Sequence, residues 1–132
     1  MKLFELREEV EKKLNVKGFS GDEKERAKAL SLIIAEVLYV DDDADVNISG
    51  IPFKAEWVKE VYRMIEHDDL KTVIDHYDQV RRSIKNPKSY LRTALYNAVN
   101  ERSLRDTVER QGTFDPEEAF SIALKRTYGD ES

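Results

Sequence analysis

The sequence contains no cysteine and little glycine or proline. Its 132 residues include five glycines, three prolines and a single tryptophan. Without cysteine, the chain has no disulfide, no thiolate ligand for zinc and no cysteine nucleophile. The scarcity of glycine and proline favours long helices over an architecture rich in β-turns.

Long apolar runs are also missing. The longest candidate, LSLIIAEVLYV from Leu30 to Val40, contains a glutamate and is too short to span a bilayer. The N-terminal stretch MKLFELREEVEKKL is too charged for a secretory signal. We therefore expect a soluble, cytoplasmic protein that makes no membrane contact. Its length fits a single helical domain over residues 1–132.

Familiar catalytic and metal-binding motifs are absent from the sequence. There is no glycine-rich phosphate loop, no nucleophile elbow and no HExxH. His67 and His76 are nine residues apart, which places them on opposite faces if both lie on one helix. Asp43 to Lys54 resembles a calcium loop in its alternating acids, but Ile48 replaces the glycine that such a loop requires. We expect no metal, no cofactor and no enzymatic activity, although turnover of DNA with a metal would argue for a carboxylate nuclease.

Apolar residues recur at helical spacing along most of the chain, which predicts a mainly all-α fold. A first amphipathic helix is expected to stop near Gly18. A second, central helix follows with Ser20 or Asp22 as its cap. Later helices are predicted from about Lys54, after Asp68, after Asn86-Pro87 and after Asp115, which makes about six helices. The helix predicted from about Lys54 is expected to turn five residues toward the core, which are Trp57, Val58, Val61, Tyr62 and Ile65.

One short β-ribbon is predicted between the second and third helices. The acidic run DDDAD ends the central helix, and VNISGIPF follows it. Val46 and Ile48 alternate with polar residues, and Ser49-Gly50 has turn chemistry. The expected architecture is therefore a compact bundle of about six helices with one short ribbon.

A basic segment is the most informative feature of this acidic chain. From Gln79 to Asn100 there are five positive residues and no negative one, although the formal net charge of the chain is −5. Such segregation of charge creates a local surface that can bind phosphates. Arg92 and Tyr96 are four residues apart and so share a helix face, which offers a base a ring to stack on. The candidate residues for binding nucleic acid or a partner are Arg81, Arg82, Lys85, Lys88, Arg92 and Tyr96.

The same positive charges also suit a purely structural role. Arginine and lysine commonly decorate helix ends, where they interact favourably with the helix dipole. Tyr90, Ala94 and Ala98 fall at steps of four and predict a face on which another helix packs. Tyr90 is accordingly expected to be a core residue with a hydrogen-bonded hydroxyl.

The basic segment also resembles a known family. IKNPKSYLRTALYNA is similar to the end of the C-terminal domain of RepA-type replication initiators of plasmids and integrative elements. The matching residues are Ile84, Asn86, Lys88, Tyr90, Leu91, Ala94, Leu95, Tyr96, Asn97 and Ala98. The resemblance covers residues 29–100 and leaves 101–132 as a C-terminal helical extension. It implies a replication-type module that binds single-stranded DNA or a replication protein.

The chain departs from these relatives in two ways. The initiators carry an N-terminal winged-helix domain that has no counterpart here, so we expect a freestanding or excised version. DnaD-like primosomal proteins, which are more distantly similar, carry a Tyr-x-x-x-Ile-x-x-x-Trp motif linked to single-stranded DNA binding. The matching positions in this chain are Tyr90, Ala94 and Ala98, so the tyrosine is kept and the two large apolar residues are not.

An acidic surface supports a second hypothesis. Small acidic proteins of mobile elements inhibit host nucleic-acid machinery, anti-CRISPR proteins among them, by occupying basic grooves. The acidic run would supply that contact surface for a host nucleoprotein through Asp41, Asp42, Asp43 and Asp45. A homodimer is compatible with either hypothesis, because the first and last predicted helices carry exposed leucines and phenylalanines.

Overall fold

The computed structural model describes the backbone of residues 2–111 and the side chains of residues 2–109. Contacts within the chain divide it into two units, Met1–Val99 and Asn100–Ser132, and everything described below concerns the first unit unless stated. The described residues form five α-helices and one two-stranded antiparallel ribbon. Their bounds are α1 Leu3–Lys13, α2 Gly21–Tyr39, β1 Asp45–Ile48, β2 Ile51–Lys54, α3 Ala55–Tyr62, α4 His67–Val80 and α5 Pro87–Gln111.

The predicted fold class is confirmed. The chain is mainly helical, and the ribbon lies between the second and third helices as expected. Two short 3₁₀ turns, Val16–Gly18 and Arg81–Ser83, follow α1 and α4. The helix predicted after Asp115 lies outside the described residues. No helix in the described part of the chain combines the length and apolarity needed to cross a membrane.

Helix α2 is the centre of the core. It contacts α1, α3 and α4, and its apolar residues from Ala27 to Val37 are buried on more than one side. Leu30 and Ile34 are 1% and 2% exposed, so their side chains are almost completely removed from water. Ser31 is buried among them, and its hydroxyl donates to the carbonyl of Ala27 at 2.9 Å, which satisfies its only donor.

The β-ribbon closes through a tight turn at Ser49 and Gly50. Both residues have positive φ, 53° and 78°, a combination typical of the two-residue turns that match strand twist. Val46 and Ile48 face the core, while their neighbours in β1 face solvent. The N–H of Ser49 donates to the hydroxyl of Thr93 at 2.9 Å, which ties the tip of the ribbon to α5.

The caps of the helices were predicted with mixed success. The side chain of Asn86 accepts from the N–H of Ser89 at 3.1 Å, so the predicted cap of α5 is confirmed. Helix α4 begins at His67, two residues before the expected start, and its cap is Glu66, whose N–H donates to the carboxylate of Asp69 at 2.9 Å, so the prediction of Asp68 as the cap is wrong. Ser20 precedes α2 but makes no side-chain cap bond.

The inner side of α3 was predicted partly wrongly. Trp57 is 59% exposed, whereas Val58 and Tyr62 are buried. Ala55 begins the buried face, and Trp57 lies about 200° around the helix from it at ~100° per residue. The buried side of this helix also includes Lys59, which hydropathy alone assigns to solvent.

Replacing Val58 by Ala should lower the free energy of unfolding by roughly 2 kcal/mol, because two buried methyl groups are lost and a cavity remains. Replacing its neighbour Trp57 by Ala should change it by less than ~0.5 kcal/mol, since that side chain is largely exposed. Urea denaturation followed by circular dichroism measures both. A larger loss for Trp57→Ala than for Val58→Ala would contradict this assignment of the buried face.

Candidate nucleic-acid or partner interface

The junction between α4 and α5 carries the first three predicted cations. Arg81 and Arg82 lie in the 3₁₀ turn that ends α4, and Lys85 lies in the loop before Pro87. All three are exposed. Pro87 occupies the first helical position of α5, where its missing N–H leaves no bond unmade. The turn thus projects three positive charges at one corner of the unit.

These three cations form no ion pair within the described part of the chain. Among residues 2–109, no carboxylate lies within the 4.0 Å ion-pair distance of Arg81, Arg82 or Lys85. Asp78, one turn earlier in α4, is engaged by Arg26 of α2 at 2.5 Å. We define the basic junction as Arg81, Arg82 and Lys85.

The other two predicted cations have internal roles. The ammonium of Lys88 lies 2.5 Å from a carboxylate oxygen of Glu36, so α2 brings an acid to a segment that has none of its own. Arg92 is half-buried, and its carbonyl accepts from the hydroxyl of Tyr62 at 2.7 Å. Burial raises the pKa of Tyr62, and the positive charge of Arg92 opposes that rise.

Tyr96 lies on the side of α5 that faces the ribbon. Its ring stacks on Phe53 with centroids 6.3 Å apart and an interplanar angle of 24°. Tyr96 is half-buried and packs against the core. One face of the ring is therefore covered, and its role in stacking a base stays a prediction.

The predicted acidic surface lies in the connection from α2 to β1 and in the first residue of β1. We define the acidic turn as Asp41, Asp42, Asp43 and Asp45, all of which are exposed. Asp42 bonds the ammonium of Lys59 at 2.8 Å, and Lys59 is only 6% exposed. Asp45 lies 4.0 Å from the ammonium of Lys54, which also donates to the carbonyl of Asp43 at 3.2 Å. Two of the four carboxylates are thus paired within the protein.

The backbone of the acidic turn also holds the start of α3. The carbonyl of Asp42 accepts from the N–H of Glu56 at 3.0 Å, and that of Ala44 accepts from Ala55 at 2.8 Å. These bonds satisfy N–H groups that the first turn of a helix leaves unpaired. The hydrogen bond and positive charge of Lys59 lower the pKa of Asp42 below its ordinary value of 3.8.

Both histidines contact aromatic side chains of the protein. His67 contacts the carbonyl of Leu14 at 2.8 Å through Nδ1 and stacks on Phe19, with ring centroids 4.4 Å apart, so it lies between the start of α4 and the segment that follows α1. His76 is exposed beside Tyr90, with ring centroids 6.4 Å apart. In the part of the chain that the structure describes, no group of three potential ligands is arranged to hold a metal ion.

Sequence reasoning missed the internal partners of the charged residues. Glu36 interrupts the apolar run of α2, and that interruption was the available signal that a cation lies opposite it. Lys59 lies four residues after Ala55 and three before Tyr62, so helical spacing already places it on the buried face. A buried lysine needs a carboxylate partner, which the acidic turn supplies.

Comparisons of the chain with protein-family models, curated proteins and solved structures give no match.

Replacing Asp42 by Asn should destabilise the protein at neutral pH, because Lys59 then loses its anionic partner. The pKa of Asp42 is lowered by folding, so its contribution is present above pH 3.8 and is lost as the pH falls through the lower, folded-state pKa. The difference in unfolding free energy between wild type and Asp42→Asn should therefore shrink below pH 3.8. Urea denaturation as a function of pH measures this difference.

Asp41→Asn is the matched control, because Asp41 is exposed and makes no ion pair among the described side chains. That variant should stay close to wild type at neutral pH. Equal stability of Asp42→Asn and Asp41→Asn at pH 7 would show that the bond to Lys59 contributes nothing.

Proposed function

We propose that this chain is a non-enzymatic module that binds single-stranded DNA, and that the basic junction is its contact with the phosphate backbone. The resemblance to replication-initiator C-terminal domains of mobile elements suggests replication as the setting. A replication protein that carries acidic groups is the alternative occupant of the same surface.

The observation that carries the proposal is the difference between the two charged surfaces. Arg81, Arg82 and Lys85 are exposed and make no ion pair with any described side chain. Asp42 and Asp45 of the acidic turn are paired with Lys59 and Lys54. Cations that are not engaged within the protein can release counterions from a nucleic-acid strand, which is the main source of affinity in such complexes.

Lys88 and Arg92 have smaller parts in this proposal. Lys88 keeps an exposed side chain but would have to exchange Glu36 for a phosphate. Arg92 is half-buried beside Tyr62, where its charge acts on the protein interior. We therefore assign the larger share of phosphate binding to the three residues of the basic junction.

The geometry gives less support to the second hypothesis, in which the acidic turn binds and inhibits the nucleic-acid machinery of a host. A surface that binds a basic groove must present carboxylates that the partner's cations can reach. Two of the four carboxylates of the acidic turn are instead paired with lysines of the same chain. Its backbone bonds to α3 also give it a structural purpose. Asp41 and Asp43 remain the residues to reverse in charge if the protein proves not to bind nucleic acid.

Replacing Arg81, Arg82 and Lys85 together by Gln should weaken binding of a labelled single strand at low salt. The slope of log K against log salt concentration should fall in magnitude by about 2, since each phosphate contact to a single strand contributes ~0.7. Fluorescence anisotropy at several salt concentrations measures affinity and slope together.

The triple variant Lys12→Gln, Lys17→Gln, Lys71→Gln is the matched control, because it removes the same charge from exposed lysines outside the basic junction. Its slope should change far less. Equal slopes for the two triple variants would show that binding depends on the net charge of the protein and not on the basic junction. Absence of binding by the wild type at low salt would refute the proposal and favour a protein partner.

A further inference from the structure

A mostly apolar recess opens directly beside the basic junction. It has a volume of about 420 Å³, within the usual range for small-molecule sites, and lies between α2, α4 and the start of α5. Charged residues at its edge are Glu25, Arg26 and Arg81. The rest of the lining is apolar or aromatic and consists of Ala29, Leu30, Ile74, Tyr77, Pro87 and Leu91.

The recess exists because small and rigid residues meet there. Ala29 is an exposed residue of α2 whose side chain is a single methyl group, so it leaves space beside Leu30. Pro87 and Leu91 form the opposite wall at the start of α5. Tyr77 also packs against Tyr90, which does not line the recess, with ring centroids 6.2 Å apart and a tilt of 42°. This contact limits the positions that the ring of Tyr77 can take.

Arg81 belongs to both the recess and the basic junction. It lines the recess, and it is one of the three cations of the basic junction, none of which makes an ion pair with a described side chain. The recess and the proposed phosphate contacts are consequently parts of one continuous surface. A ligand that fits it must combine a flat, uncharged apolar group with a neighbouring negative charge.

We propose that the recess takes an unpaired nucleobase of the strand whose phosphates lie on Arg81, Arg82 and Lys85. This inference rests on the proposed function and adds to it the reason for choosing single strands. A base stacks on aromatic and apolar side chains without regard to sequence, and a short sugar links it to phosphates on both sides. A duplex keeps its bases paired and stacked, so it can use the cations but not the recess.

The charge around the recess favours a base over an acidic peptide. The interior is apolar, and the two cations on the α2 side are engaged, because Lys28 pairs with Glu25 at 3.6 Å and Arg26 pairs with Asp78 at 2.5 Å. The three cations of the basic junction follow one another along a short turn, an arrangement that suits the evenly repeated charges of a phosphate backbone. A base without a formal charge fills the recess without desolvating a carboxylate.

The test compares two strands of equal charge on the whole protein. One is an oligothymidylate of about 15 nucleotides, and the other is a strand of the same length with stable abasic sugars in place of every base. Anisotropy at low salt should show that the oligothymidylate binds about tenfold more tightly than the abasic strand. A hairpin duplex of equal charge should bind like the abasic strand.

The variant Ala29→Phe should remove this preference by filling the recess, while the affinity for the abasic strand stays unchanged. Thr72→Phe is the control, since Thr72 is exposed on α4 and does not line the recess. It should keep the preference. Circular dichroism checks that both variants are folded.

Each remaining outcome overturns a defined part of the argument. Equal binding of both strands by the wild type, lost in the triple Gln variant of the basic junction, would refute the recess and keep the proposed function. A preference that persists in a folded Ala29→Phe variant would place the bases elsewhere and refute the recess. Binding of neither strand would overturn both proposals.

Discussion

The burial of α2 is the constraint on which the rest of the structure depends. Its apolar residues point to more than one side, so α1, α3 and α4 must all pack around it. Ala29 and Glu36 both keep some exposure and are two turns apart on one side of α2. Each meets the start of α5: Ala29 lines the recess with Leu91, and Glu36 pairs with Lys88. The position of the candidate site thus follows from how α2 is covered.

The start of α5 is first of all an architectural segment. Tyr62 of α3 donates to the carbonyl of Arg92, Ser49 of the ribbon donates to Thr93, and Phe53 stacks on Tyr96. Two preceding elements, α3 and the ribbon, are therefore joined to residues 92–96 of one helix. These contacts hold the start of α5 against α3 and the ribbon, whereas the cations of the preceding turn make no ion pair with the side chains that the structure describes.

Net charge is a poor guide to what this surface can bind. The chain carries −5 overall, yet the acidic turn is partly neutralised by Lys54 and the buried Lys59, whereas the basic junction makes no ion pair with a described side chain. Electrostatic attraction of a partner acts over a Debye length of ~10 Å, so the local arrangement of charges decides it. The ion pair between Asp42 and Lys59, together with the backbone hydrogen bonds to Ala55 and Glu56, makes the acidic turn a structural contact of α3.

By itself, the sequence determined the helical class, the ribbon at Ser49-Gly50, the break at Asn86-Pro87 and the central place of α2. These features follow from spacing and local backbone chemistry, which act over a few residues. Tertiary structure alone decided that Trp57 faces solvent, that Lys59 is buried against Asp42, and that Glu36 reaches Lys88. It also formed the recess, whose walls come from helices far apart in the chain. Periodicity shows that a helix has an apolar face, but which charged groups meet across helices depends on packing, which no local pattern encodes.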